Sequence, residues 1–243
     1  MKVVNISTYK FVPLDNLELM QEAIRAKLIE LNLKGTVVLS LEGINIMLAG
    51  APEMINGFAA YLHADSRFLD MQFKKSLSET QPYKRTLVKI KNCLVPGADW
   101  VNPAETKAPS LSPEQLKNWI EEGKDFYLLD TRNDYEVESG SFDNAVDLKL
   151  EQFKQLPERI QMAELDKNKP VVMFCTGGIR CEKAAPVALQ AGFKEVYQLE
   201  GGILNYFEKC GTAHYHGDCF VFDERRGVDA GLNPIVLNSL SAS

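Results

Sequence analysis

The sequence predicts an α/β protein of two domains, a ferredoxin-like (acylphosphatase-like) α+β domain followed by a parallel α/β domain. Three observations carry this. The first 90 residues or so read as strand, helix, strand, strand, helix and strand, the β-α-β-β-α-β order of a ferredoxin-like unit. The second half sets short, fully apolar strands before helical stretches, as in a parallel sheet covered on both faces. Between them, Pro96, Gly97, Pro103 and Pro109 fall without periodicity, as in a connection. The expected division is residues 1–92, a linker over 93–111, a second domain over 112–209 and a C-terminal extension over 210–243.

Val3 to Val12 alternates loosely as a strand. Asp15 is the expected N-cap of a helix whose Leu17, Met20, Ile24, Leu28 and Leu31 keep one apolar face until Gly35. Thr36–Ser40 and Ile44–Leu48 read as a hairpin about a Glu42-Gly43 turn. Pro52 opens a second helix, with Ile55, Phe58, Ala59 and Leu62 inward. Met71–Phe73 and Thr86–Ile90 supply further strand. Past the linker, Ser112-Pro113-Glu114-Gln115 starts a helix as a capping box, with Leu116, Trp119 and Ile120 on its apolar face.

The chemistry concentrates in Val171–Cys181. Val171-Val172-Met173-Phe174 reads as a buried strand. It ends on Cys175 and a Gly177-Gly178 turn, and residues 182–192 then read as a helix closed by Gly192. Backbone N–H groups of such a turn converge on one point, and the helix dipole adds positive potential there. A thiolate at Cys175 is therefore stabilised and its nucleophilicity raised. Arg180 adds a fixed forked charge at the rim. The expected active-site loop is Thr176, Gly177, Gly178, Ile179, Arg180 and Cys181, an anion cradle for a thiolate, a persulfide or a small oxyanion.

Four residues separate Cys175 from Arg180, one fewer than the C-x5-R ring that holds phosphate in protein tyrosine phosphatases. The tighter loop resembles the rhodanese family, in which the cysteine carries a persulfide sulfur. Asp130-Thr131-Arg132, after the strand Phe126–Leu129, resembles that family's D-x-R motif, continued by Tyr135-Glu136. Gly140–Ala145 stands where the family has G-H-I-x-G-A, with Ser141 in place of the usual His. Val196–Ile203 resembles the closing strand and L-x-G-G turn. Asp130 and Arg132 are expected to brace the active-site loop by ion pair and hydrogen bonds, and Glu136 in a lesser way. Cys181 reads two ways: a resolving or modulating thiol beside Cys175, or a small buried apolar residue.

Together with the domain order, the Leu41-Glu42-Gly43-Ile44-Asn45 hairpin, Cys175–Lys183 and Cys219-Phe220-Val221-Phe222-Asp223-Glu224-Arg225 resemble the rhodanese-domain tRNA uridine hydroxylases over essentially the whole chain. That resemblance implies 5-hydroxylation of the wobble uridine (position 34) of tRNA, with molecular oxygen as cosubstrate and Cys175 as the catalytic, persulfide-forming cysteine. Longer members carry a cysteine-rich tail; the sequence reaches Ser243 without one, so that tail's role is expected to be absent or supplied otherwise. The sequence identifies no cofactor of its own, having neither a Rossmann fingerprint nor a haem signature.

Charge is divided between the halves. Residues 1–109 carry 13 Lys and Arg against 11 Asp and Glu, whereas residues 110–243 carry 14 against 22. Over residues 72–91 six basic residues face only Glu79. Lys74, Lys75, Lys84 and Arg85, interleaved with Phe73 and Tyr83, read either as a solvated strand edge or as a phosphate-contacting patch for tRNA. No run of about 18 apolar residues exists to span a membrane. The N-terminus lacks a signal-peptide pattern, and five cysteines without close pairing suit a reducing compartment, so a cytoplasmic protein is expected. Cys210, His214, His216, Asp218 and Cys219 crowd ten residues; a strand would put His214, His216 and Asp218 on one face, as oxygen-activating iron needs, but a solvated loop does so too, and no metal is assigned.

Three functions remain open from residues alone: the tRNA hydroxylase, a sulfurtransferase moving persulfide sulfur from a small donor, and a non-catalytic rhodanese-like module. The intact Cys175 and Arg180 disfavour the third. Sulfur transfer alone does not require the N-terminal domain or the C-F-V-F-D-E-R segment. Oligomeric state is left open.

Overall fold

The computed structural model describes residues 2–98, 101–103, 107–223, 225–229 and 231–234. Parts of the expected linker (99–100 and 104–106), Glu224, Ala230 and the end of the C-terminal extension (235–243) lie outside the described residues.

The N-terminal unit runs β1 (Val3–Phe11), α1 (Leu17–Glu30), β2 (Lys34–Ser40), β3 (Gly43–Gly50), α2 (Pro52–His63), β4 (Lys74–Ser78) and β5 (Thr86–Ile90). Its sheet has the order β4-β1-β3-β2-β5. The first four positions are those of a ferredoxin-like sheet, and β5 extends it by running parallel to β2. Ile24 and Leu28 of α1 and Ile55, Phe58 and Leu62 of α2 bury against Ile6, Val37, Leu39, Ile44, Ile46 and Leu48.

Three local expectations are corrected. The cap of α1 is Asn16, in the left-handed region at φ 48°, because the Asp15 carboxylate instead accepts from Arg67 Nη1 at 3.1 Å. The hairpin turn is Leu41-Glu42, and Gly43 already belongs to the strand. A Cβ there would stand 2.0 Å from the Lys10 carbonyl oxygen of β1, so the close approach requires glycine. Met71–Phe73 is not strand; the edge strand is the polar Lys74–Ser78. It pairs through Val3↔Ser78 to Ser7↔Lys74, so backbone pairing with β1 creates it without an apolar alternation.

The second unit comprises β6 (Ser110–Leu111), α3 (Pro113–Glu121), β7 (Tyr127–Asp130), α4 (Asp134–Val137), β8 (Gly140–Phe142), β9 (Val146–Asp147), α5 (Leu156–Met162), β10 (Val171–Phe174), α6 (Ile179–Gln190), β11 (Val196–Leu199) and α7 (Gly202–Cys210). The sheet β6-β11-β10-β7-β9 is parallel throughout. Both faces are covered, and all four residues of β10 are buried, which explains its unbroken apolar run. Met173 and Val171 pack with α5 and α6, joined by Val95, Ala98 and Val101 of the connection. Val172 and Phe174 pack on the other side with Leu116, Ile203, Tyr206 and Phe207. β12 (Tyr215–Gly217) pairs with β8, and β13 (Cys219–Phe220) pairs with β14 (Gly227–Val228). Among the described residues no helix is long and apolar enough to cross a membrane.

Candidate active site

Cys175 directly follows the central strand β10, fully buried, and its Sγ accepts the Gly178 N–H at 3.1 Å. Helix α6 begins at Ile179, earlier than the sequence suggests, because Gly178 turns the chain at φ 97°. Arg180 and Cys181 therefore belong to the first helical turn and not to a free loop. Burial alone would raise the Cys175 thiol. It is overcome by the neighbouring Cys181 thiol, the Arg180 charge and the N–H groups of Arg180 and Gly178, which hold the thiol well below its ordinary value. Cys181, fully buried in the core with its Sγ 3.8 Å from Thr131 Oγ1, moves the opposite way, because burial and the neighbouring thiolate keep it protonated.

Glu136, on α4, holds the rim. Its carboxylate takes the Arg180 fork at 2.6 and 2.7 Å, accepts Thr176 Oγ1 at 3.2 Å and caps its own helix through the Asn133 N–H at 3.2 Å. Burial works against its charge, but the Arg180 hydrogen bonds hold it below the usual carboxylate range. Asp130 and Arg132 brace one step further back. Arg132 donates to Asp130 and to the carbonyls of Glu136 and Gly140, at 3.2 and 2.7 Å for the latter two. The Asp130–Arg132 pair thus fixes the segment that presents Glu136. Ser141 Oγ donates to Asp130 at 2.8 Å, which gives the residue in the usual His position a bracing role here.

The remaining support comes from the N-terminus of α7 and from the N-terminal domain. Ile203 N–H and Leu204 N–H donate to the Cys175 and Thr176 carbonyls at 3.0 and 3.1 Å. From β4, Lys74 Nζ donates to the Gly177 carbonyl. Desolvation pushes this ammonium down to about 8, against the opposing pull of the Cys175 thiolate. Tyr9 on β1 donates to Glu182 at 3.3 Å, and its phenol is raised by burial and then by the Glu182 charge. Lys183, fully buried, spans to Glu42 Oε2 and the Val101 carbonyl, both at 2.5 Å. Arg225 Nη1 reaches Ser76 Oγ on β4 at 2.8 Å. The domains together form an open cavity of about 570 Å³ lined by Cys175 and Arg180 from one side and by Tyr9, Asn45 and Met47 from the other.

Lys74 is thus drawn into the wall of the site, whereas Lys75, Lys84 and Arg85 are exposed on the outer surface. Tyr9, Lys74 as a loop ligand, and Lys183 are not marked by any local sequence pattern; the signal lies in Glu42 and Glu182-Lys183, whose partners are in the other domain or in the connection. The Cys210–Cys219 cluster does not converge. His214, at φ 60°, breaks the strand alternation; its Nε2 lies 3.8 Å from Glu121, while His216 faces Asp143 at 3.2 Å. Among the described residues no three His, Cys, Asp or Glu side chains form a metal-binding group.

A strand-borne, activated cysteine in a C-x4-R cradle on a five-stranded parallel sheet defines a rhodanese-fold protein, here joined to an acylphosphatase-like domain. Residues 3–93 match the "UPF0176 acylphosphatase like domain" and residues 112–209 the "Rhodanese-like domain". The chain belongs to the tRNA uridine(34) hydroxylase family. A protein of that name from Cupriavidus taiwanensis is 50% identical over 96% of this chain and 86% of its own length. One from Thiobacillus denitrificans is 47% identical over 97% and 98%. Among solved structures, the rhodanese-like domain of the Anabaena sp. Alr3790 protein matches 45% of this chain and 79% of its own at 21% identity, with a TM-score of 0.39. A human single-domain sulfurtransferase matches 42% and 97% at 22% identity, with a TM-score of 0.37.

Proposed function

We infer that this chain hydroxylates the uridine at position 34 of tRNA, at C5, with Cys175 as the reacting group. The observation that carries this is similarity along nearly the whole chain, at 47–50% identity, to proteins of that name, with the activated Cys175 cradle intact beneath a wall supplied by the N-terminal domain. The cradle keeps Cys175 ionised at neutral pH and suits a persulfide, whose terminal sulfur would share the N–H groups and the Arg180 charge. Molecular oxygen is the proposed oxidant. Replacing C5–H by C5–OH with O2 and two thiol equivalents yields water and a disulfide, so a thiol-class reductant supplies the two further electrons. The wobble uridine leaves the anticodon stack to reach the cavity, and Lys75, Lys84 and Arg85 hold backbone phosphates outside it.

The test is mass spectrometry of tRNA nucleosides from cells lacking this gene, complemented with wild type or Cys175→Ala. The expected result is loss of 5-hydroxyuridine-derived wobble nucleosides, restored by wild type alone. Unchanged nucleosides, with purified protein consuming thiosulfate in the presence of cyanide, would make it a sulfurtransferase instead. The partner reading has its own check: Lys75, Lys84 and Arg85 replaced together weaken tRNA binding and flatten its salt slope by about 1 per lost phosphate contact. Unaltered binding overturns that placement.

A further inference from the structure

We infer that Tyr135 and Phe222 form a stacking subsite for one unpaired pyrimidine base at the rim of the Cys175 cavity; this rests on the tRNA reading above. Both rings line the same cavity as Cys175 and Arg180. Both are unusually open for large side chains, Tyr135 at 44% and Phe222 at 52% exposure, so their apolar faces meet water beside the reacting centre.

They are nonetheless held in place. Phe220 packs edge-on against both, with ring centroids 5.3 Å from each and interplanar angles of 77° and 81°. Tyr135 sits on α4 next to Glu136, the residue that grips Arg180, and its hydroxyl accepts from Asn133 at 3.2 Å. Phe222 precedes Asp223, which is nearly inaccessible and paired with Arg225 at 2.6 Å; Arg225 in turn binds Ser76 of β4. The Val221 N–H donates to the Arg226 carbonyl at 3.1 Å and closes the same hairpin. The Arg180 guanidinium lies 5.9 Å from the Phe222 ring centroid, which ties one ring to the charge that serves Cys175.

Rings fixed before the ligand arrives lose little conformational freedom on binding. What they offer is a pair of flat apolar faces, with the amides of Asn45 and Gln152 elsewhere in the wall. A phosphate or a small sulfur oxyanion has no use for such faces. An unstacked nucleobase has both an aromatic face and a polar edge, and aromatic stacking is the usual way single-stranded bases are held. The subsite also gives Phe222 of the C-F-V-F-D-E-R segment a task that the persulfide cradle does not require.

The experiment uses the full-length protein and an anticodon stem-loop RNA carrying a fluorescent pyrimidine analogue at position 34, alongside hydroxylation of the unmodified stem-loop. Wild type is expected to change the analogue's fluorescence on binding. Phe222→Leu and Tyr135→Leu are expected to lose that change and about 5- to 150-fold in kcat/KM, the range that one lost stacking contact implies. Phe222→Trp and Tyr135→Phe, which keep a ring, should retain both, and unchanged thiolate absorbance of Cys175 shows that the leucine variants keep the cradle. Leucine variants that match wild type in fluorescence and turnover overturn the subsite while leaving the tRNA reading intact. Loss in the ring-keeping variants as well assigns the two side chains a structural role and overturns it too. A wild-type protein that neither binds nor hydroxylates the stem-loop removes the tRNA reading, and the subsite with it.

Discussion

Arg180 serves two anions at once, the Glu136 carboxylate by a forked hydrogen bond and the Cys175 thiolate by charge. Arg180→Gln is expected to raise the Cys175 pKa, and each unit of increase cuts the thiolate fraction tenfold at pH values below it. Arg180→Lys keeps the charge but not the fork, so its pKa should move less. Ultraviolet thiolate absorbance against pH, with Cys175→Ser as the blank, checks both; an Arg180→Gln titration identical to wild type would refute the charge argument. A second titration belongs to Lys74. Its ammonium is charged below about 8 and neutral above, so activity that depends on this charge falls as pH rises through that value. Lys74→Met should abolish this alkaline limb and lower activity below it, read from kcat/KM profiles. Cys175, its loop and Arg180 were legible in the sequence because they are contiguous. Glu136 was only half legible, being 44 residues from Arg180, and the contact of Lys74 with Gly177 spans 103 residues, beyond any local pattern.

The helix α7 acts on the site through its first turn, whose N–H groups hold the Cys175 and Thr176 carbonyls. That contact explains the second glycine of the L-x-G-G turn. Gly202 has φ 65°, and a Cβ there would stand 2.3 Å from the Cys175 oxygen and 2.8 Å from the Gly178 nitrogen. Gly202→Ala therefore has to move the cradle's backbone, in a conformation that already costs a non-glycine residue on the order of 1–3 kcal/mol. Chemical denaturation should show a loss of at least that order, with Cys175 losing its depressed pKa in the protein that still folds. A variant with wild-type stability and thiolate titration would show that the packing has room to spare. Elements with strong periodicity, such as α2 with Pro52 at its start, follow from the sequence directly. The edge strand β4 does not, because the inward face of Lys-Lys-Ser-Leu-Ser is the polar Lys74, Ser76 and Ser78, so no apolar alternation marks it and only its pairing with β1 makes it a strand.

The two domains form one site because polar side chains cross between them, and the sequence hid this by keeping each partner in a separate motif. Lys183, in the helix that follows Cys175, is fully inaccessible, and Glu42 of the β2–β3 hairpin is largely covered. Glu42 also accepts the Leu94 N–H at 2.6 Å, so the hairpin, the connection and α6 meet at a single carboxylate. A buried ammonium binds there only because that carboxylate and the Val101 carbonyl receive it. Lys183→Ala leaves Glu42 without its cation and should cost about 3–5 kcal/mol, the usual penalty for breaking a buried pair. Replacing both partners, Lys183→Met with Glu42→Leu, should cost less, since no charge is orphaned and only the Leu94 N–H and the Val101 carbonyl lose a partner. Because this pair joins the domains, its loss should also divide their unfolding: calorimetry is expected to show one transition for wild type and two for Lys183→Ala. A Lys183→Ala protein that unfolds in one transition at the wild-type temperature would mean that the apolar packing of Val95, Ala98 and Val101 holds the domains together without the ion pair.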